Sequence, residues 1–247
     1  MAKIVARNAE IFAKGVDFSG MTNSVTLSIT AESPDVTSFG SDVRERLANG
    51  LKDAEFSGGG FYNTAASSTD ETFSGLMTAS TIYGFYPSTA SATYIGYEFS
   101  GITTEYSSDF AVADAAVITF TVSASGDVTR GISLGYKTIT GTTAASGYLD
   151  SGCSVDFDAS TANTGRVILR MLEITGTDAT VSASFQDSND DSAFTTITDF
   201  GSFTLDNTVN SETYTSASRY RRIKYSITAT GAFTATMLGF SGSRIGY

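Results

Sequence analysis

Hydrophobic and polar positions alternate with a period of two along most of this chain. In SVTLSITAE, Val25, Leu27 and Ile29 fall on one side and Thr26, Ser28 and Thr30 on the other, as a half-buried strand requires. In AAVITFTVSASGDVTRGISLGYKTIT, Ile118, Phe120 and Val122 alternate with Thr119 and Thr121, Ser125, Gly126 and Asp127 supply a turn, and residues 132–139 begin a return, which predicts a hairpin. Further on, RVILRMLEIT sets Val167, Leu169 and Met171 against Ile168, Arg170 and Leu172. ATVSASFQDSNDDSAFTTI reads as two strands around a polar turn at residues 187–192, and AFTATMLGF closes the set. In SRYRRIKYSIT, Arg221, Ile223, Tyr225 and Ile227 share a face opposite Tyr220, Arg222, Lys224 and Ser226. The fold class expected is all-β.

One stretch breaks the pattern. SFGSDVRERLANGLKDAEFSGGGF places seven charges within residues 42–55 and ends in three glycines. Asp42 as a cap with Glu45 three residues on, Val43 and Leu47 at i and i+4, and Gly50 as a stop predict a short helix. At two turns such a helix has no stability alone, so its Val43/Leu47 face must dock on a sheet or on a neighbouring chain. Phe56, Phe61 and Tyr62 around the glycine run predict an extended, adaptable arm.

Composition narrows the chemistry. Of 247 residues 17% are charged and 41% hydrophobic, with Ser, Thr, Ala and Gly filling most of the rest, a strand-and-turn composition. The chain has no histidine and one cysteine, Cys153, which removes Ser-His-Asp and Cys-His catalysis, His-based metal sites and an intrachain disulfide. No enzymatic role and no cofactor is expected, and Cys153 reads as a buried thiol. The net charge of -11 argues against a nucleic-acid-binding or anionic-membrane surface. Residues 61–165 carry two basic and ten acidic side chains, hence -8 of that total. No apolar run is long enough to span a membrane, and Glu10 and Lys14 interrupt what a signal peptide would need as an apolar core, so a cytoplasm-like compartment is expected.

Three constellations invite a chemical reading. Asp187, Asn189 and Asp191 match the first oxygen positions of a calcium loop, but Ser192 and Thr198 stand where that loop requires Gly and Glu, so a solvated hairpin turn is preferred. Arg219, Arg221, Arg222 and Lys224 form a basic patch whose alternation splits it between two faces; charge pairing with acidic neighbours accounts for it better than a phosphate cradle. Tyr83, Tyr86, Tyr94 and Tyr97 would suit a sugar platform, although the chain lacks tryptophan, and core or interface positions are preferred.

The order of these features resembles that of the major tail tube proteins of long-tailed, siphovirus-type bacteriophages. The likeness rests on DVTSFGSDVRERLANGLKDAEFSGGGFYN and AAVITFTVSASGDVTRG in the first half. In the second half it rests on GRVILRMLEITGTDATVSASFQDSNDDSAFTTITDF with its Gln-Asp-Ser hairpin and on SRYRRIKYSITATGAFTATMLGF with its Arg-Tyr-x-Arg strand. It runs in order through most of the chain.

The resemblance implies a tail-tube-type β-sandwich or barrel with one short helix over residues 1–144, including an extended loop and the helix at about 33–63, followed by a β-sandwich domain over 145–247 on the tube exterior. The small-residue stretch 140–153 is where a boundary is expected. The function implied is a structural virion protein that self-assembles into stacked rings, forming the hollow tail tube through which DNA passes at ejection. Its partners would be itself, in hexameric or trimeric pseudo-hexameric rings, and other tail proteins. DNA would be transient non-specific cargo in the lumen, no membrane would be involved, and assembly would occur in the host bacterial cytoplasm. Candidate inter-subunit contacts are Val43, Arg44, Arg46, Leu47, Leu51, Phe56, Phe61 and Tyr62. The alternative is a carbohydrate-binding or adhesin module on a virion or cell surface.

Overall fold

The structure, a computed structural model, describes residues 8–33, 35–39, 42–46, 52–63, 68–111, 114–150, 154–157 and 163–244. Its elements are strands β1 (Glu10–Ala13), β2 (Val16–Asp17), β3 (Thr22–Ala31) and β4 (Lys52–Phe61), helix α1 (Thr69–Gly75), then β5 (Thr81–Tyr86), β6 (Ile95–Asp109), β7 (Val117–Ala124), β8 (Thr129–Gly141) and β9 (Ala145–Tyr148). They continue as β10 (Val155–Asp156), β11 (Asn163–Gly176), β12 (Thr180–Ser188), β13 (Thr195–Phe203), β14 (Thr208–Ser216), β15 (Tyr220–Thr228) and β16 (Phe233–Arg244). The all-β class read from the alternation is what the chain adopts, and every strand pairing given by register is antiparallel.

The chain forms two compact units, one from residues 1–20, 81–99 and 127–247, the other from 21–80 and 100–126. The stretch 140–153 falls within the first of these, where β8 ends and β9 begins.

In the first unit, one sheet runs β14-β11-β16-β8-β6-β5-β1-β2, and a second runs β10-β15-β12-β13 with β9 also on β15. Their facing sides share a core that includes Val167, Leu169 and Met171 of β11, Val181 and Phe185 of β12, Ile223 and Ile227 of β15 and Met237 of β16. This is a β-sandwich. The other side of the first sheet is covered too, with Ile168, Leu238 and Phe240 packed among Phe12, Ile82 and Tyr86. Burial on both faces explains why Val167, Ile168 and Leu169 are apolar at three successive positions rather than cleanly alternating. A register shift between Met171 and Glu173 leaves Leu172 as the extra residue of a bulge.

Arg170 belongs to this second face. Its guanidinium pairs with the carboxylate of Glu98, both side chains having no solvent exposure, and also donates to the carbonyls of Lys14 and Ile82. The hydroxyl of Tyr86 donates to Glu98 Oε1 at 2.8 Å. A side chain at Gly84 would place its Cβ 2.6 Å from Glu98 Oε1, so the ion pair needs glycine there.

In the second unit, β3 pairs β4, β4 pairs β7, and β7 pairs residues 101–109 of β6. Two expectations are corrected here. β7 and β8 are not a hairpin: β7 takes β4 and β6 as partners, β8 takes β16 and β6, and residues 125–127 connect the two units. The glycine run is not an adaptable arm but the interior of β4. A Cβ at Gly60 would lie 2.4 Å from the carbonyl oxygen of Met21, a close approach that only glycine permits.

The helix also lies elsewhere. Residues 42–46 form bends and a bridge between Asp35 and Arg46, and residues 47–50 lie outside the described residues. The helix of the second unit is α1, whose buried Phe73 stacks on Phe120 of β7 at 4.0 Å between ring centroids. Among the described residues no helix is long and apolar enough to cross a membrane.

Candidate functional site

The loop between β3 and β4 carries the most conspicuous exposed apolar side chains of the second unit. Its limbs are held together by backbone pairing. Val36 N–H donates to the Glu45 carbonyl at 3.0 Å, and Glu45 N–H donates to Thr37 Oγ1 at 2.9 Å, beside the Asp35/Arg46 bridge. Asp35 is the organising residue. It accepts from the hydroxyl and the backbone N–H of Thr37 and from Arg44 Nε at 2.7 Å. Those Thr37 hydrogen bonds, with Arg44 adding to them, hold the Asp35 carboxyl below its ordinary range. The Asp35/Arg44 pair is solvent-exposed, so its value lies in positioning rather than in stability.

What this bracing presents to solvent is apolar. Phe39 is fully exposed, Val43 is 71% exposed, and Val36 is exposed as well. Isolated exposed apolar residues are ordinary, and three on one braced loop mark it as the candidate contact surface. Next to the loop in sequence, β3 has β4 as its one partner among the described residues, and its Ile29 is also exposed.

The candidate contact residues separate into groups. Val43, Arg44 and Arg46 lie on the pinned loop, with Arg44 committed to Asp35. Leu47 and Leu51 lie outside the described residues. Phe56 is fully buried, its ring 5.9 Å from that of Phe120, and has no surface to offer a neighbour. Phe61 is exposed at the end of β4. Tyr62 packs edge-on against Phe110 at 4.7 Å, and its hydroxyl reaches Asp70 at 3.4 Å, where Tyr106 also donates at 2.6 Å. Phe39 and Val36 were missed, although an aromatic flanked by Ser and Gly in a polar loop was itself the signal.

The other constellations find their places. Residues 189–194 form the turn between β12 and β13, with Asp190 accepting from the backbone of Ser192 and Ala193 and from the Ser188 hydroxyl. These bonds, Ala193 foremost, draw its carboxyl well below the usual range. No group of three or more acidic or cysteine side chains among the described residues is placed to hold a metal ion. Cys153 lies outside the described residues. Tyr83 and Tyr86 are fully buried while Tyr94 is exposed, so the four tyrosines do not make one sugar platform. Of the basic patch, Arg219 pairs with Asp156 at 2.6 Å, and Arg222 lies between the rings of Tyr148 and Phe194.

No protein-family model matches the chain, and no curated protein matches it. Among solved structures, a chain of the native gene transfer agent virion is 19% identical, covering 51% of this chain and 97% of its own, with a TM-score of 0.42. A chain from the tail of the empty gene transfer agent particle is 20% identical, covering 44% and 80%, with a TM-score of 0.36. The Dit protein of phage SPP1, described as a hub adsorption apparatus of phages infecting Gram-positive hosts, is 12% identical, covering 94% and 98%, with a TM-score of 0.37. At such TM-scores and identities these likenesses establish neither kinship nor role.

Proposed function

We propose that this chain is a structural subunit of a phage-type tail that self-assembles into stacked rings, building a hollow tube through which DNA passes. The observation that carries the reading is the pinned loop that holds Phe39, Val36 and Val43 in water. Solvated aromatic and aliphatic side chains on a braced loop gain free energy only when a partner covers them. The pairing of β3 with β4 alone among the described residues supports it, since closure of a ring is a common way to satisfy an open strand edge. So does the ordered succession of tail-tube-like stretches in the sequence, which includes that loop.

In this reading the loop reaches a neighbouring subunit, residues 145–247 face outward, and the acidic segment that precedes them lines the lumen. An acidic wall repels phosphates and lets DNA slide, because residues 61–165 set only two basic side chains, Arg130 and Lys137, against ten acidic ones. Ring copy number is six single chains or three chains contributing twice.

Electron microscopy and sedimentation of the purified full-length protein test the proposal. Rings or tubes are expected, and Phe39→Asp should abolish them while leaving a folded monomer. A protein that stays monomeric at high concentration, or one that assembles equally well with Phe39→Asp, would overturn it.

A further inference from the structure

The first unit contains a pocket of about 310 Å³ that tail assembly does not explain. It is lined by Arg221, Tyr214 and Phe157, by Ile95 and Ile132, and at its exposed margin by Arg130. That volume is at the lower end of the range for small-molecule sites.

Arg221 is the unusual member. The alternation of β15 puts it on the buried face with Ile223, Tyr225 and Ile227, and only 5% of it remains exposed. Its guanidinium lies over the ring of Phe157 at 4.3 Å and that of Tyr214 at 5.1 Å, and Nη1 donates to the Tyr214 hydroxyl at 2.8 Å. Nε is buried with no hydrogen-bond partner. None of the ion pairs among the described residues includes Arg221. Asp187 stands opposite it across the β12/β15 ladder but accepts the hydroxyl of Ser216 instead.

The same unit shows how a shielded cation is ordinarily held: Arg170 has Glu98, and the more exposed Arg219 has Asp156. A buried cation with no carboxylate in ion-pairing contact is costly, and ring faces offset only part of that cost. The Nε edge of a guanidinium is shaped for the two oxygens of a carboxylate. Among the described residues the pocket has no acidic lining residue to oppose an anion, and Ile95, Ile132 and Phe157 give it an apolar wall. One buried guanidinium matches one negative charge, with Arg130 at the margin adding attraction rather than a second cradle.

We propose that this pocket binds a carboxylate carried on an apolar or aromatic body, with the guanidinium of Arg221 supplying the positive charge that holds it. The carboxylate belongs either to a free small molecule or to a side chain or chain end of a neighbouring copy.

Benzoate is the probe, with benzyl alcohol and inorganic phosphate as comparators, on the full-length protein. Millimolar benzoate should raise the melting temperature saturably while benzyl alcohol does not, and Arg221→Lys, which keeps the charge and loses the fork, should weaken benzoate at least tenfold. Arg130→Ser, at an exposed position, should weaken it several-fold. Should Arg221→Lys fail to fold, crystals of the unaltered protein soaked in 4-bromobenzoate decide the matter, since the bromine must appear in this pocket. Benzoate that also disperses assembled particles supports the proposal with a neighbouring copy as the natural source, and benzoate that binds without touching assembly supports it with a free ligand. No saturable shift, equal binding of benzyl alcohol, a response to phosphate alone, or bromine elsewhere would each overturn it.

Discussion

Arg170 and Glu98 lie 72 positions apart in the sequence and form an ion pair from which solvent is wholly excluded. The pair is roofed by the Tyr86 hydroxyl and by two backbone carbonyls, so every polar edge has a partner. Removing one member leaves the other charged and buried. Arg170→Met or Glu98→Gln should therefore cost about 3–5 kcal/mol in urea denaturation. Replacing both with apolar residues should cost less than either single change, and a double variant worse than the sum would contradict this account.

Gly84 makes room for that pair. Alanine there would put its Cβ 2.6 Å from Glu98 Oε1 and 3.0 Å from Arg170 Nη2, and neither group can move without losing a bond. Gly84→Ala should lower stability by about 1–3 kcal/mol. The loss should shrink in the Arg170→Met background, where Glu98 has already lost its anchor, which a double-mutant cycle would measure.

How much of this was legible from the sequence differs from residue to residue. The alternation of β15 fixed the faces of Arg221, Ile223, Tyr225 and Ile227 correctly, because a period of two is set by the strand itself. Asp42, Glu45 and Gly50 spelled a helix from local signals, yet Asp35 pairs with Arg46 across the loop, and such non-local pairing overrides capping. α1 went unread because TDETFSG is weakly helical and its apolar anchor is the single Phe73. The glycines of β4 looked flexible because a sequence does not show what backbone lies 2.4 Å from a missing Cβ. Phe39 was in the quoted stretch, but its exposure depends on how the loop is pinned.

Phe56 gives a sharp separation between stability and assembly. It is buried against Phe120 in the core of the second unit. Phe56→Ala should cost about 3–5 kcal/mol of stability, read as a lower urea midpoint. Phe39→Ala, at a fully exposed position, should leave that midpoint unchanged. Equal effects would mean that Phe39 is covered within its own chain.

Alkaline stability follows from the tyrosines. Burial foremost, and then the charge of Glu98, push the Tyr86 hydroxyl well above its ordinary value, and burial also raises Tyr214. The folded state thus retains protons that the unfolded chain releases from about pH 10 upward. The stabilisation is complete below that pH and is lost as pH rises toward the folded-state values. Urea midpoints should be flat through neutrality and fall above about pH 10, and Tyr86→Phe should soften that fall. A midpoint that rises in alkali would reverse the sign and refute the assignment.

The loop makes the opposite prediction in acid. Asp35 has its carboxyl lowered by Thr37 and Arg44, so its ordering of the loop is complete above the unperturbed range near about pH 4 and is lost as pH falls through the lowered value. Because the pair is exposed, little global stability is at stake. Asp35→Ala should leave the melting temperature unchanged but let the limbs that present Phe39 and Val43 separate, so assembly measured by sedimentation should weaken severalfold. Restoring the carboxylate with Asp35→Glu should rescue it only in part, since the longer side chain displaces the Thr37 contacts. Full assembly by Asp35→Ala would mean that a partner, rather than this carboxylate, shapes the loop.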